Sequence, residues 1–496
     1  MEHVSSVSSP ELSPRDLAVL SLVVVLSVGV YLLAAALTYR LGFPLDDSWI
    51  HVTYARNLAL SGQWAFRLGH PSAGSTSPLW TLLLTPGFWF GLGPLWWSYL
   101  LGALGLLALG ILSEATVRRL VPSYRPALPW IGLFMAVEWH MVWAAVSGME
   151  TLLQAVITTL VVAMVICGSR RYLALGLLTG LSAWIRPDGL TLVGPCLLAI
   201  LLLEMTMRSK GRASLMYLIG AGALVLPYLV LNLKLSGTPL PNTFYAKQVE
   251  YAAWQGRPLL YQLGALLLQL LTGPSLLLLP GVLVWIVRTV RLREVRTALA
   301  MLWCAGYLVL YIIRLPPYQH GRYLMPAMPT FLLFGLVGFL QLQHGGPPGR
   351  LVQSLRRAWK ISLPLLTVAF MSLGARAYGE DVGLIESEMV NTAKWAAANL
   401  SSQSVIAAHD IGALGYFDQH PLIDMAGLVS PEVIPFLRDE TRMSEFLNSR
   451  GANYLITFPS FYPDLTRTLV TVHSSGGPFA IAMGEQNMTV YCWRCH

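Results

Sequence analysis

The sequence predicts a polytopic α-helical membrane protein with about eleven transmembrane helices and a small C-terminal α/β domain. Three observations lead to this prediction. The 496 residues are 55% hydrophobic and only 12% charged, whereas soluble domains carry about 25% charged residues. The mean hydropathy is +0.58. Charge is also unevenly distributed, because residues 380–496 contain six Lys/Arg and thirteen Asp/Glu while the preceding residues are strongly basic.

The net charge of +8 does not indicate a nucleic-acid-binding protein. The basic residues before position 380 lie in short loops between apolar runs, which is typical of topology determinants rather than of a basic binding face. We therefore expect membrane lipids, and no nucleic acid, among the partners.

Apolar runs long enough to cross or nearly cross a bilayer recur along the first three quarters of the chain. They lie at 17–39, 95–117, 127–146, 150–168, 172–186, 189–207, 213–234, 275–291, 298–313, 326–342 and 361–378. If the N-terminus is cytoplasmic, every inward loop contains basic residues, as the positive-inside rule requires. This parity predicts a multi-pass plasma-membrane protein whose C-terminal domain is extracytoplasmic.

The predicted domains are a transmembrane domain at 1–378 and a soluble domain at 379–496. Residues 40–77 form the first outward loop, and residues 78–92 predict an interfacial or re-entrant helix because their apolar part is too short to span. In the soluble domain, 386–400 and 431–450 are predicted to be helical, and 404–408 and 454–458 to be strands. The order resembles half of a nucleotide-binding sheet, without a glycine-rich phosphate motif.

Cysteine usage leaves two alternatives at the C-terminus. Cys492 and Cys495 form a C-x-x-C pair, which either closes a local disulfide or needs two further ligands to hold zinc. The other three cysteines lie in or beside apolar runs and are expected to pack as small hydrophobic residues.

Paired acids follow the first apolar run. Asp46 and Asp47 precede an amphipathic stretch at 50–60, where a lipid headgroup would lie. A carboxylate there can deprotonate a hydroxyl or hold a divalent cation. The alternative is that both acids simply cap the helix that follows.

Other polar residues also gather in the outward turns. Glu150 and the pair Arg186 and Asp188 can each be explained by helix ends alone. Arg322 suits a lipid phosphate, because guanidinium matches phosphate bidentately, although a snorkelling anchor is an equal alternative. Acids, Asn, Lys, His and Arg from five helix pairs nevertheless share one face, an arrangement that a passive scaffold would not need.

Several strings on this face resemble the bacterial GT-C glycosyltransferases, and most closely the arabinofuranosyltransferases that add terminal residues to actinobacterial cell walls. They are DDSWIHVTYARNLALSGQW, GSTSPLW, SGMET at 147–151, RPDG at 186–189, GTPLPNTFYAK at 237–247, HGRYLMP at 320–326 and DIGALGYFDQHPLIDMAGLVSPE at 410–432. The resemblance covers most of the chain, in the same order.

The resemblance implies an enzyme that moves a sugar from a polyprenyl-phosphate donor to a cell-envelope glycan, lipid or protein acceptor on the outer face, with inversion. It implies Asp46, Asp47 and Glu150 as catalytic residues. Of the two neighbouring acids, Asp46 is the predicted base because Asp47 is better placed to cap the next helix. The substrate-binding and donor-binding residues it implies are Arg56, Arg186, Asn242, Lys247, His320, Arg322, His409 and Asp410.

Several points stay open at this stage. No cofactor is certain, the metal site is unknown, and a divalent cation beside Glu150 is one alternative. The chain is shorter than the arabinosyl members and has no recognisable carbohydrate-binding module, so the sugar is arabinose, mannose or another pentose or hexose. The competing functions are a transporter or flippase for lipid-linked sugars and a non-enzymatic envelope assembly protein. A transporter would favour an internal repeat and polar residues at the midplane, and the sequence has few of the latter.

Overall fold

The computed structural model describes residues 12–344 and 350–495. The predicted cytoplasmic N-terminus, at residues 1–11, lies outside the described residues, as does part of the last predicted inward loop.

The first three quarters of the chain are helical. The helices are α1 (Pro14–Thr38), α2 (Asp47–Ser61), α3 (Pro78–Trp89), α4 (Pro94–Leu120), α5 (Trp130–Val137), α6 (Trp139–Val146), α7 (Thr151–Ile166), α8 (Tyr172–Ile185), α9 (Val193–Leu203), α10 (Met207–Ser236), α11 (Asn242–Glu250), α12 (Ala252–Gln255), α13 (Leu259–Leu271), α14 (Pro274–Leu292), α15 (Val295–Arg314), α16 (Met328–His344) and α17 (Arg350–Leu384). A short hairpin of β1 (Ala65–Arg67) and β2 (His70–Pro71) follows α2.

Six helical segments in the described part of the chain are long and apolar enough to cross a membrane. They are α1, α4, α10, α14, α15 and the segment Arg356–Asn399. Shorter apolar helices accompany them at α7, α8, Pro187–Leu203, α13 and Met328–Leu342. The protein is thus a multi-pass membrane protein, while the predicted number of spans stays a prediction.

The run predicted as one helix at 127–146 is broken in two. Glu138 has an extended backbone (ψ 122°) and separates α5 from α6. Its carboxylate accepts hydrogen bonds from the backbone N–H groups of His140 (3.0 Å) and Met141 (3.1 Å) and so caps α6. An acid within an apolar run therefore ends one helix and starts the next, because it satisfies amide groups that would otherwise be unpaired.

Close helix contacts are made through glycine. A Cβ atom on Gly281 of α14 would lie 2.1 Å from the carbonyl oxygen of Gly335 on α16. The two helices approach too closely for a side chain at this point, as is common where membrane helices pack through small residues.

The tail contains a five-stranded sheet and short helices. Its strands are β3 (Ile406–Ala408), β4 (Leu422–Asp424), β5 (Tyr454–Thr457), β6 (Val470–Ser474) and β7 (Thr489–Cys492), and its helices are α18 (Asn391–Asn399), α19 (Gly412–Phe417), α20 (Glu440–Ser449), α21 (Pro463–Thr466) and α22 (Pro478–Ala482). The strand order is β4-β3-β5-β7-β6. The first three strands are parallel, and β7 is antiparallel to both neighbours. Cys492 and Cys495 form a disulfide at the end of β7.

The two faces of this sheet have different neighbours. Ile406 and Ile456 belong to the large apolar core that continues into the membrane helices, whereas Ala407 and Leu455 belong to a smaller core under α20. Alternate residues of a strand point to opposite faces, so one face of the tail packs against the membrane domain.

The predicted boundary at 378 falls inside a helix. α17 continues to Leu384, a π-helical turn covers Ile385–Val390, and α18 begins at Asn391. Near this turn, Arg40 Nε donates to the Glu386 carboxylate (2.6 Å). The tail is therefore joined to the membrane domain by continuous helical backbone.

Candidate active site

The paired acids at the start of α2 point in different directions. Neither carboxylate forms a capping bond to α2: Asp46 occupies the N-cap position without a side-chain bond, and the hydrogen bonds of Asp47 go to other elements. The premise that Asp47 caps the helix is therefore wrong, and with it the reason for choosing Asp46 as the base.

Asp46 binds the tail. Its Oδ2 accepts from the backbone N–H of Gly412 (2.6 Å) and its Oδ1 from that of Ala413 (2.8 Å). Burial, assisted by the nearby charge of Asp410, raises the pKa of Asp46 from 3.8 to about 7. Both of its carboxylate oxygens are thus engaged by the first residues of α19.

Asp47 lies among cations. Arg322 Nη2 donates to its Oδ2 (2.7 Å), and Lys247 Nζ lies 3.5 Å from the same atom. Its side chain is 31% exposed. Burial would raise the pKa of Asp47, but the charges of Lys247 and Arg322 outweigh that effect and hold the pKa well below its usual range. Asp47 is therefore ionised at neutral pH, and among the described residues no hydrogen bond engages its Oδ1 atom.

Arg322 carries unsatisfied donors. The residue is 4% exposed, and its Nε and Nη1 atoms are buried without a hydrogen-bond partner. Nη2 also donates to the Tyr323 hydroxyl (3.0 Å), which accepts a second bond from Lys247 (2.9 Å). Buried unpaired donors cost free energy, and a guanidinium is a strong donor to phosphate oxygens.

A second charged row lies beside this group. Glu150 is fully buried, with Oε1 accepting from Arg186 Nη1 (2.9 Å) and Oε2 lying 3.4 Å from His51 Nε2. Arg186 also contacts Asp188 (3.2 Å), which accepts from the Tyr307 hydroxyl (2.6 Å). Asp47, Glu150 and Arg186 line a small common pocket of about 60 Å³.

A larger cavity of about 510 Å³ opens between the membrane domain and the tail. Asp47, Lys247 and Arg322 lie on one side of it, and His409 and Asp410 of the tail also line it. Asp46 lines it too, so the structure brings six of the predicted site residues together around one space.

Arg56 and Asn242, which were also predicted to bind substrate or donor, make other contacts. Arg56 donates to the carbonyl oxygens of Tyr416 (2.7 Å) and Gly415 (3.2 Å), at the end of α19. Asn242 donates to the Leu428 carbonyl (3.2 Å). Arg56 and Asn242 therefore hold the tail in place, and no contact here supports their predicted role in donor binding.

His320 is held by an acid on α17. Its Nε2 lies 2.8 Å from the Asp381 carboxylate, which also accepts from Trp143 Nε1 (2.9 Å). His320 has a left-handed backbone (φ 57°), which few non-glycine residues adopt. Asp381 lines the larger cavity beside Arg322, so His320 supports the wall of the cavity from behind.

Sequence reasoning missed several residues of the site. Tyr323 bridges the two cations, yet its only signal was its position directly after Arg322. His51 and Asp381 had no signal, because their partners Glu150 and His320 are distant in sequence. Across the described residues, no grouping of three or more His, Cys, Asp or Glu side chains could hold a metal ion.

Comparisons with solved structures identify the fold. ArnT from Cupriavidus metallidurans bound to undecaprenyl phosphate matches with a TM-score of 0.57 at 16% identity, over 96% of this chain and 98% of that one. Arabinofuranosyltransferase AftD from Mycobacteria matches with a TM-score of 0.52 at 15% identity, over 98% of this chain and 40% of that one. The predicted GT-C-like fold of a membrane protein is confirmed.

Sequence comparison points to a narrower group. The chain is 27% identical over 340 residues to the terminal beta-(1->2)-arabinofuranosyltransferase of Mycobacterium tuberculosis. The match covers 60% of this chain, which spans about half (52%) of the length of that relative. The predicted likeness to the arabinofuranosyltransferases is confirmed. Residues 370–491 also match a domain of unknown function (DUF8728).

Proposed function

We propose that the protein is a membrane glycosyltransferase that takes a sugar from a polyprenyl-phosphate donor and transfers it, with inversion, to an envelope acceptor. One observation carries the proposal: the unpaired Nε and Nη1 donors of Arg322 lie on the same guanidinium that pairs with the Asp47 carboxylate. A cation suited to a phosphate and a carboxylate base thereby lie side by side at the cavity. The likeness to a structure bound to undecaprenyl phosphate supports the same class of donor.

The reaction uses this pair directly. An acceptor hydroxyl loses its proton to Asp47 as its oxygen bonds to the anomeric carbon of the donor. The bond from that carbon to the phosphate oxygen breaks, and its electron pair leaves with polyprenyl phosphate. Arg322 and Lys247 stabilise the charge that develops on the leaving phosphate. Asp47 then releases its proton to water.

Asp47 is the better candidate for the base than Asp46. A low pKa makes it a weak base, but it is ionised and has a free oxygen at the cavity. Both carboxylate oxygens of Asp46 accept hydrogen bonds from backbone N–H groups of the tail. We assign Glu150 and Arg186 a positioning role. Their ion pair, together with the contact between Glu150 and His51, stabilises the wall of the small pocket beside Asp47.

The proposed site faces outward from the plasma membrane, with the N-terminus in the cytoplasm. The basic inward loops support this orientation through the positive-inside rule. A lipid-linked donor suits that compartment, because the polyprenyl chain keeps it in the outer leaflet without a nucleotide. Arabinofuranose is the first donor sugar to test, since the curated relative carries that name.

The test is transfer of radiolabelled arabinose from synthetic arabinosyl polyprenyl phosphate by purified protein, comparing wild type with Asp47→Asn and Asp46→Asn. General base catalysis contributes roughly 10²–10⁴-fold, so Asp47→Asn should lower the rate by that factor in a folded protein. Compared with Asp47→Asn, the Asp46→Asn variant should show a smaller decrease in transfer rate and a larger decrease in thermal stability.

Two outcomes would contradict the proposal. Equal loss in both variants would remove the distinction between the acids. No turnover of arabinosyl, mannosyl or other pentosyl donors by wild-type protein would favour the flippase or assembly alternative, which a lipid-scrambling assay in proteoliposomes then checks.

A further inference from the structure

The parallel strands of the tail end at the cavity. The order β4-β3-β5 means that the chain leaves β3 towards one side and then crosses to the other. In open α/β sheets, ligands bind outside the carboxyl ends of the strands at such a reversal. His409 and Asp410 follow β3, Ala426 follows β4, and Phe458 and Phe461 follow β5; all five line the cavity of about 510 Å³.

The groups at these strand ends are suited to a sugar. Asp410 Oδ2 is buried without a hydrogen-bond partner, and a carboxylate accepts hydrogen bonds from hydroxyl groups. The ring of His409 meets that of Phe461 edge-on, with centroids 5.1 Å apart. Phe461 is 44% exposed, so its ring offers an apolar surface to the C–H face of a sugar.

The charge of this wall argues against a phosphorylated ligand. Among the described residues of the tail that line the cavity, Asp410 and Glu485 are acidic and none is Lys or Arg. Burial would lower the pKa of His409, but Tyr462 and Glu250 raise it well above its usual value, so His409 adds one positive charge to this wall. The Lys and Arg side chains, Lys247 and Arg322, belong to the membrane domain, where Asp46, Asp47 and Glu250 also line the cavity. A phosphate therefore suits the side of Lys247 and Arg322, and a neutral ligand rich in hydroxyl groups suits the tail, where acids outnumber cations and aromatic rings are present.

We propose that the tail is the acceptor subsite, in which Asp410, His409 and Phe461 bind the carbohydrate that receives the sugar. The inference rests on the proposed function, because inversion requires the acceptor to approach the anomeric carbon from the side opposite the leaving phosphate. The domain of unknown function that matches residues 370–491 thus contributes substrate contacts to the membrane site.

Kinetics of Phe461→Ala and Asp410→Asn test the assignment. The first removes a half-exposed ring and the second keeps the shape of the side chain, so both should fold. With the octyl glycoside of a short arabinofuranosyl oligosaccharide as acceptor, acceptor KM should rise about ten-fold or more, and donor KM far less. Asp464→Asn, an exposed tail residue away from the cavity, is the matched control and should leave both constants unchanged.

Unchanged acceptor KM in both variants, or a larger rise in donor KM, would overturn the inference and leave the proposed function standing. If wild-type protein transfers no sugar, the proposed function fails instead. Saturation-transfer NMR between the full-length protein in nanodiscs and the same oligosaccharide, without donor, then decides the inference. Binding that is weakened in Phe461→Ala supports it, and equal or absent binding overturns it.

Discussion

Replacing Arg322 with lysine separates charge from geometry at the proposed phosphate site. Nη2 of the guanidinium donates hydrogen bonds to Asp47 and Tyr323, whereas Nε and Nη1 have no partner among the described residues. A lysine keeps the positive charge, and so keeps Asp47 ionised, but it lacks the additional N–H donors of the guanidinium.

The expected loss follows from two hydrogen bonds. Each bond to a charged group is worth about 1.5–3 kcal/mol, so losing both from the transition state costs about 3–6 kcal/mol. At 1.4 kcal/mol for each factor of ten, donor kcat/KM should fall by about 10²–10⁴. The ammonium retains part of the Coulomb attraction, which places the result near the lower figure.

The assay is steady-state transfer at varied donor concentration, with thermal unfolding of the same samples as a check of the fold. Arg376→Lys is the matched control, because that side chain is 77% exposed and pairs only with Glu380 in its own helix. A folded Arg322→Lys protein whose donor kcat/KM stays within about three-fold of wild type would refute the assignment of the phosphate to Arg322.

Three further results are expected. Gly412→Ala should lower the free energy of unfolding by about 1–3 kcal/mol, and with it the melting temperature, because its Cβ would lie 2.0 Å from the Asp46 carbonyl oxygen. Gly264→Ala, whose Cβ would have no atom within 4 Å, should not destabilise the protein. The pKa of Asp46 is raised from 3.8 in the unfolded chain to about 7 in the folded protein. Between these values the folded state holds a proton that the unfolded state has lost, so the free energy of unfolding decreases as the pH rises. The melting temperature should fall less steeply with pH in Asp46→Asn, and equal slopes would count against the burial of this carboxyl. Tyr323→Phe should raise donor KM about ten-fold, since Lys247 loses a 2.9 Å hydrogen bond that orients it; an unchanged donor KM would exclude that role.

Much of the fold could be read from hydropathy. The apolar runs coincide with α1, α4, α10, α14 and α15. The segments predicted as helix at 386–400 and as strands at 404–408 and 454–458 contain α18, β3 and β5. The failures have physical reasons. Glu138 breaks a run that looks continuous, since one capping carboxylate outweighs apolar periodicity. Strand β4, at Leu422–Asp424, was not predicted, because its three residues directly follow Pro421 and form no longer apolar or alternating run.

The site was only partly accessible to the same reasoning. Sequence pattern places cations and acids on one face, but Asp47 and Arg322 are 275 positions apart, and no local spacing predicts their contact. Successive residues in a helical turn point about 100° apart, which directs the Asp46 carboxylate to the backbone of α19 and the Asp47 carboxylate to Arg322. Residue type could not distinguish two identical neighbours, whereas their partners do.

The helical backbone runs without interruption from α17 through the π turn to α18. It therefore fixes the rotation of the tail about the helix axis relative to the membrane domain. One residue inserted there would turn everything beyond it by about 100° and lift it about 1.5 Å, which would carry the N–H groups of Gly412 and Ala413 away from Asp46. Four inserted residues nearly complete a turn, yet raise the tail by about 6 Å. A tail grafted from another protein would therefore need the same helical length as well as the same sheet, because distance and angle are fixed together by one rigid rod.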